Sequence, residues 1–402
     1  MNIENNSITR GLSGLNNIGN TCYMNSVIQS LSSTNLLCYY FRKAIFKDNL
    51  QNSIIKILKK KSDKELSKKK IKHKFKTSIT YRLYQVLKIM WSINCELKPE
   101  KFKLTIDKLL PKFRGRMQHD AQEFLTFLLD HIHEELKSDI MIKKVKFNSK
   151  TNAYIGAKLR ILKQIEEIRE SEREKDIEMK KTLKIQLKNL VNNNYVIDTQ
   201  YEGVKFLESF LKNNHSIITD LFYGIFMSEI CCNNCSNKSV TFEPFNMLQL
   251  DLFNTEDLSL EKMLQHYLKS EEINYKCDEC NLNCGAMKRI IIHTLPEKLI
   301  IQFKRFISNG NHSRKNNMKV LFPFSNLEIN EHIKSDPSYY ELYSVINHMG
   351  DVGGGHYTNY SKNSINNQWY EFNDSNVSYL NYPEKEIMTS SAYVLLYQKQ
   401  RV

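Results

Sequence analysis

Nine cysteines and eleven histidines carry most of the reactive chemistry in this chain, and their spacing sorts the informative ones into two groups. The first begins with a single thiol. Cys22 closes the stretch Gly14-Leu-Asn-Asn-Ile-Gly-Asn-Thr-Cys22 and opens Tyr23-Met-Asn-Ser-Val-Ile-Gln-Ser-Leu31, where Met24, Val27, Ile28 and Leu31 fall at the i, i+3, i+4, i+7 spacing of an amphipathic helix. Gly19 and Asn20 supply a turn and Thr21 a capping hydroxyl, so the spacing predicts the thiol at a helix start. There it lies beside unpaired N–H groups at the positive end of the helix dipole, which lowers a thiol pKa. A cysteine in such a place is more often a small buried hydrophobe, so nucleophilic chemistry also requires a base. His356 is distinguished by context: it follows Gly353-Gly-Gly, where backbone turns tightly and a ligand chain can approach closely. Asn373 and Asp374 lie seventeen and eighteen residues further on, after the strand-like Trp369-Tyr-Glu-Phe372. A histidine at a strand start and a polar residue on a nearby strand form the base and orienter that a thiol nucleophile needs.

The second group is Cys231-Cys232-Asn-Asn-Cys235 and Cys277-Asp-Glu-Cys280, with Cys284 beyond. Two C-x-x-C knuckles on strand-turn-strand units are the layout of a tetrahedral four-cysteine zinc site, with Cys232, Cys235, Cys277 and Cys280 as ligands. Cys231 and Cys284 compete for that role, but each leaves three intervening residues within its cluster instead of two. The 41 residues between Cys235 and Cys277 exceed a compact ribbon spacing, so the site should join two distant hairpins into one projection. An odd cysteine count with six in two clusters suits metal binding in a reducing compartment better than a disulfide framework.

The elements that must hold these groups are read from composition and period. A chain of 402 residues, 41% hydrophobic, can bury a sizeable core. No apolar run approaches the roughly 18 residues of a membrane helix, and Met1-Asn-Ile-Glu-Asn-Asn6 lacks the layout of a signal peptide, so a cytoplasmic or nuclear address and no membrane partner are expected. The formal charge of +14 invites a nucleic-acid reading. The excess is local, however: lysines crowd 56–76, and 141–190 holds 14 Lys/Arg against 7 Asp/Glu. Such runs are usually solvated faces or loops, and nucleic-acid binding is disfavoured. Residues 1–11 read as a disordered N-terminus. Short helices are expected over 36–46 and 54–58, an exposed lysine-rich loop after them, and a helix over 78–93. The surest helix runs through Gln118-His-Asp-Ala-Gln-Glu-Phe-Leu125 to Leu136, where Asp120 and Glu123 match a capping box. Between 141 and 200 the chain is charged and poor in Gly, Pro and aromatics, with stripes Ile161/Ile165/Ile168 and Leu183/Leu187/Leu190. It reads as an inserted pair of surface helices, joined near Ser171–Asp176, whose stripes face inward. From 217 strands dominate: 222–230, a rough alternation over 239–252, then 299–306, 343–348, 369–372 and 392–397.

Four blocks in this order resemble the ubiquitin-specific protease family of papain-like cysteine deubiquitinases. They are Gly14 to Ser26, Gln118 to Leu125, the two C-x-x-C pairs with Leu295-Pro-Glu-Lys-Leu-Ile-Ile-Gln-Phe-Lys-Arg-Phe306, and Gly354-Gly-His-Tyr-Thr-Asn-Tyr360 with Trp369 to Ser375. Together they span about residues 12–400. The resemblance implies an α+β fold with a helical thumb (about 12–216), zinc-bearing β fingers (about 217–290) and a β-sheet palm (about 291–400), acting as a single domain and a monomer. It implies Cys22 as nucleophile, His356 as general base and acid, Asn373 as orienter with Asp374 able to share that role, and Asn17 as the oxyanion-hole side chain. It further implies that Gln118, Asp120, Glu123, Gly355 and Tyr357 meet the C-terminal tail of ubiquitin, and that Zn2+ is structural. Asn373 stands where many members have Asp, and His119 replaces a common Gln; neither change removes a catalytic group. Two rival readings are an inactive ubiquitin-binding scaffold, which would lack a triad member, and a basic zinc-ribbon nucleic-acid binder, which the neutral or acidic Asn233, Asn234, Asp278 and Glu279 in the knuckles argue against.

Overall fold

The computed structural model describes residues 9–61, 67–141, 145–168, 173–309, 312–333 and 336–401. Its centre is the helix Cys22–Ser32, every residue of which is buried. The stripe Met24, Val27, Ile28 and Leu31 packs into a helical layer built with Asn35–Arg42, Ile79–Met90, Glu100–Leu109 and Ala121–Leu136. The opposite, polar side is buried as well, which a soluble amphipathic helix would not do. It lies against the strands of an eight-stranded sheet through a hydrogen-bonded network: Asn359 Nδ2 donates to Ser30 Oγ and Ser344 Oγ, each at 2.8 Å, and Thr34 Oγ1 meets the Tyr343 hydroxyl at 2.9 Å. Full satisfaction is what makes such a buried polar interface specify one arrangement.

The large sheet runs, in spatial order, Asn376–Tyr379, Trp369–Asn373, Gly354–Lys362, Ser338–Asp351, Ala392–Lys399, Lys298–Lys304 and Leu248–Asp251, with Leu327–Ile329 added to the start of Ser338–Asp351. All pairings are antiparallel except that of Leu248–Asp251 with Lys298–Lys304. A second, four-stranded antiparallel sheet has the order Lys238–Phe245, Gly224–Cys232, Asn283–Thr294, Glu271–Lys276. The α+β architecture with helical, finger-like and palm-like layers is thus present.

Several local expectations are corrected. The alternation over 239–252 is two strands in two sheets, broken at Asn246-Met247, and Pro244 is tolerated because Lys238–Phe245 is an edge strand. The expected span 217–290 for the fingers therefore contains a strand of the large sheet, and it opens on the helix Ile217–Phe222, which packs with Ala121–Leu136. The lysine-rich stretch is helical where it is described: the expected segment 54–58 is part of the helix Lys47–Lys61, and Lys68–Lys76 is a further helix capped by the Ser67 hydroxyl on Lys70 N–H, while 62–66 lie outside the described residues. Lysine has high intrinsic helix propensity, and the few apolar residues gave too little period to reveal it. Residues 1–8 of the expected disordered terminus lie outside the described residues. Thr9 and Arg10 are anchored by their carbonyls, which accept from Asn94 and Asn363.

The basic segment forms the helices Ser149–Glu167 and Glu174–Asn193, which pack along each other with both stripes half-buried; the connection at 169–172 lies outside the described residues. The boundary at 200 cuts a third helix, Tyr195–Asn214, which lies on the small sheet. Tyr195 donates to the buried Glu229 carboxylate, Thr199 meets His332 Nε2 at 2.9 Å, and Phe206 packs on Phe242. Among the described residues no helix is long and apolar enough to cross a membrane.

Candidate active site and metal centre

The loop before Cys22 is held from both sides. Leu15 N–H donates to Asp374 O at 2.7 Å, and a Cβ on Gly14 would lie 2.0 Å from Ser375 O, so only glycine permits this approach. Asn17 Oδ1 accepts from Gly19 N–H and Thr21 N–H at 3.2 and 3.1 Å while Gly19 and Asn20 take positive φ. Thr21 does not cap the helix as expected. Its hydroxyl accepts from Ile18 N–H at 3.0 Å inside the loop, and no side chain caps the helix. The first-turn N–H groups beside the Cys22 thiol therefore stay available to a developing anion.

His356 begins the edge of the cleft on Gly354–Lys362, and Asn359, three residues along, ties that strand to the Cys22 helix. His356 Nε2 lies 2.7 Å from Asn373 Oδ1. An amide oxygen only accepts, so Nε2 carries a proton and Nδ1 is left to the thiol. The Cys22 hydrogen bond is the largest influence on His356, and with the Asn373 bond it raises the imidazole to about 9 against the opposing effect of burial. Asp374 does not orient the imidazole. At φ 50° its carboxylate turns toward the Cys22 loop, where Oδ2 accepts from Asn17 Nδ2 at 3.0 Å and Oδ1 from Asn25 Nδ2 at 2.8 Å. The amide of Asn17 is thus fixed by four hydrogen bonds, the fourth a long one of 3.5 Å from the Thr21 hydroxyl to Oδ1, with its second N–H free of any partner among the described residues.

A cleft of about 570 Å³ adjoins these groups, lined by Gln118, His119, Asp120, Gly353, Gly355 and Tyr357 among others. Gln118 Oε1 accepts from Gly355 N–H at 3.0 Å, which bridges the two banks. Asp120 is committed on both oxygens: Oδ1 accepts from Glu123 N–H at 3.0 Å as the helix cap, and Oδ2 from the Tyr393 hydroxyl at 2.7 Å; burial raises its pKa. The capping box is half formed, because the Glu123 carboxylate turns to Lys112 instead of the Asp120 backbone. Tyr357 is almost fully buried between His348 and Tyr393. Sequence reasoning missed Asn25, Ser30, Asn359, Ser344 and Tyr393, which position the site without reacting. Buried Ser, Asn and Gln on an otherwise apolar helix were the available signal.

At the tip of the small sheet the sulfurs of Cys232, Cys235, Cys277 and Cys280 all lie within 4.8 Å of one another. Cys235 Sγ is 3.6 Å from Cys277 Sγ and Cys232 Sγ 4.0 Å from Cys280 Sγ. Metal–sulfur bonds of about 2.3 Å in a tetrahedron put sulfurs about 3.8 Å apart, so the set fits a metal ion. The knuckles are built alike: Ser236 N–H donates to Cys232 O and Asn281 N–H to Cys277 O, with Ser236 and Asn281 at φ 54° and 56°. The backbone N–H of Cys235 on the Cys232 thiol is the first of the influences that hold it down at about 6. Cys284 lies 3.3 Å from Cys232 Sγ, adjacent to the four-sulfur group, while Cys231 turns toward Ser236 O.

A thiol at an uncapped helix start, an imidazole with an amide orienter and an amide-lined loop define a papain-like cysteine hydrolase. The chain belongs to the ubiquitin carboxyl-terminal hydrolase family, whose model matches residues 13–397, and it is a cysteine-type deubiquitinase. It is 29% identical to the probable ubiquitin carboxyl-terminal hydrolase R319 of Acanthamoeba polyphaga mimivirus, over 97% of this chain and 90% of that protein. It is 27% identical to human ubiquitin carboxyl-terminal hydrolase 2, over 98% of this chain and 56% of that one, so the chain spans little more than half the length of that relative. Among solved structures it is similar to the Ubp8/Sgf11/Sus1/Sgf73 deubiquitinating module bound to ubiquitin aldehyde, with a TM-score of 0.65, 25% identity, and coverage of 98% of this chain and 71% of that one.

Proposed function

We propose that Cys22 cleaves the isopeptide or peptide bond after the C-terminal glycine of ubiquitin, with the roles of its neighbours set by the geometry above. The Cys22 thiolate attacks the glycine carbonyl carbon, and its electrons pass to the carbonyl oxygen. That oxyanion is met by the Cys22 backbone N–H and the free N–H of Asn17 Nδ2. His356, protonated and held by Asn373, gives its proton to the leaving amine as the C–N bond breaks, leaving a thioester. The now neutral imidazole takes a proton from water, whose oxygen attacks the thioester carbonyl; the C–S bond then breaks, returning the Cys22 thiolate beside the protonated imidazole, and ubiquitin leaves as the free acid, which ionises to the carboxylate. The observation that carries this reading is His356 Nε2 at 2.7 Å from Asn373 Oδ1, which leaves Nδ1 for the thiol that most strongly raises the imidazole's pKa.

The narrow approach between Gln118 and Gly355 suits a Gly-Gly terminus, and the Gln118–Gly355 hydrogen bond must open to admit it. Asp120 serves as cap and anchor for Tyr393; to Glu123, which pairs with Lys112 here, we assign a tail arginine as its partner in the complex. Ubiquitin-bound neighbours such as the module above support ubiquitin as the substrate. Cys232, Cys235, Cys277 and Cys280 are proposed to hold one structural zinc, because four thiolates close a tetrahedral site and leave no position for substrate. Incubation with a fluorogenic ubiquitin C-terminal amide tests the proposal: wild type should release the fluorophore and Cys22→Ala should not. Absence of turnover by wild type, or equal turnover by the variant, would end it.

A further inference from the structure

Residues 42–76 carry fourteen Lys/Arg against three Asp/Glu, an excess of +11 out of the chain's +14, and the catalytic account uses none of it. The helix Lys68–Lys76 reads KKKIKHKFK: six lysines and a histidine among nine residues, no carboxylate, and no fully buried residue. The pairs Lys68/Lys72, Lys70/Lys74 and Lys72/Lys76 repel at i, i+4 spacing, which destabilises the helix. Among the described residues no carboxylate pairs with Lys47 or with any lysine of this helix; Lys56, on Lys47–Lys61, is the nearby lysine that finds one, in Asp139. Beyond its Ser67 cap, the helix is held to the core by Ile71 and Phe75, Phe75 against Phe46 and Tyr81. Between the two helices a groove of about 490 Å³ has Ile71, Phe75 and Tyr81 as its floor and Lys47, Lys68, Lys72 and Lys76 at its rim.

We propose that this groove docks an acidic polypeptide segment that presents one large apolar side chain between Asp and Glu residues. Its rim lysines match carboxylates, and its floor takes an aromatic or long aliphatic side chain, the arrangement by which amphipathic peptides are held in grooves. A membrane surface would need apolar residues pointing outward beside the lysines, whereas Ile71 and Phe75 point into the fold. A nucleic-acid backbone would satisfy the lysines and leave the apolar floor without a partner. The four cations within one groove, with no carboxylate partner among the described residues, give both affinity and a strong salt dependence. The surface is separate from the catalytic cleft, none of whose lining residues belongs to it. Docking here would bring acidic segments of conjugated proteins or regulators to the enzyme without touching the Cys22 chemistry.

Fluorescence anisotropy tests the proposal with three probes: a labelled 15-residue Glu/Asp peptide with one central Phe, the same peptide with Ser for Phe, and a 20-base-pair DNA duplex, each at low and moderate salt. The Phe peptide should bind at least fivefold more tightly than the Ser peptide and more tightly than the duplex. Lys68→Gln/Lys72→Gln/Lys76→Gln, which relieves repulsion and leaves the floor intact, should weaken Phe-peptide binding at least tenfold. Neutralising Lys175, Lys180 and Lys184 on the Glu174–Asn193 helix should change it less than twofold, and turnover of the ubiquitin amide should be equal in all three proteins. Tighter binding of the duplex, indifference to the central Phe, or equal losses from the two triple variants would overturn the proposal whatever becomes of the activity at Cys22.

Discussion

Replacing Asp374 by Asn separates positioning of the oxyanion donor from orientation of the base. The change is nearly isosteric, and Asn tolerates the φ of 50° at this position, so the hairpin turn should keep its shape. A carboxylate accepts on both oxygens and here receives Asn17 Nδ2 at 3.0 Å and Asn25 Nδ2 at 2.8 Å. An amide has one acceptor and must turn its NH2 toward the other donor. Asn25 is 2% exposed, so an NH2 turned toward it would be buried against another donor, whereas one turned toward the more exposed Asn17 can meet water; Asn17 is therefore the side chain released. A hydrogen bond to a charged group contributes about 1.5–3 kcal/mol when buried, and the half-exposed Asp374 belongs at the low end, which corresponds to a fall in kcat of about tenfold. Complete loss of an oxyanion donor, about 10²–10³-fold, is the ceiling. Steady-state hydrolysis of the ubiquitin amide should therefore show Asp374→Asn lowering kcat by about 10–100-fold, with KM within about twofold of wild type. In an Asn17→Ala background the same change should cost less than about threefold, since the amide it positions is gone. A fall of under twofold in the single variant, or an equal fall in both backgrounds, refutes the reasoning.

Three other outcomes follow from local structure. A Cβ on Gly355 would sit 2.2 Å from His348 Nε2 and 2.6 Å from Met349 O; Gly355→Ala should displace its neighbour His356 and lower kcat/KM by about a hundredfold, measured on the same amide. Burial holds His293 down at about 4, so the unfolded chain takes up its proton near 6.5 while the folded chain does not. Stability is then lost as pH falls from about 6.5 to 4, by about 2 kcal/mol at pH 5 for this site; thermal melts at pH 7 and 5 should show the drop, and His293→Phe should lessen it. Cys277→Ser should release the metal, read by atomic emission, and lower Tm, while hydrolysis of the small amide stays within about threefold of wild type.

The candidate catalytic set was legible as a set of residues because the chemistry proposed for it demands particular types: a thiol after Gly-Asn-Thr, a histidine after three glycines, an amide at the end of the next strand. The cysteine knuckles were legible for the same reason, since a four-thiolate metal site demands that spacing. What positions them was not. Asn359 and Ser30 are unremarkable in sequence, and only the pairing of the Gly354–Lys362 strand beneath the Cys22 helix makes them the link between nucleophile and base. Asp374 was read beside Asn373 as a second orienter, but a positive φ at one residue turns its side chain to the other bank of the site. The Lys68–Lys76 helix was hidden because its stability comes from propensity and the apolar contacts of Ile71 and Phe75, which leave too little period to count.

The central claim is that Cys22, activated by His356, forms a covalent bond to the C-terminal glycine of ubiquitin. Ubiquitin bearing an electrophilic C-terminus, incubated with the protein and followed by tryptic mass spectrometry, tests it directly. One ubiquitin should add per chain, the modified peptide should contain Cys22, and His356→Ala should slow the addition by at least about a hundredfold. Modification at any other of the nine cysteines with Cys22 left unmodified, or equal labelling of Cys22→Ala, would contradict the account.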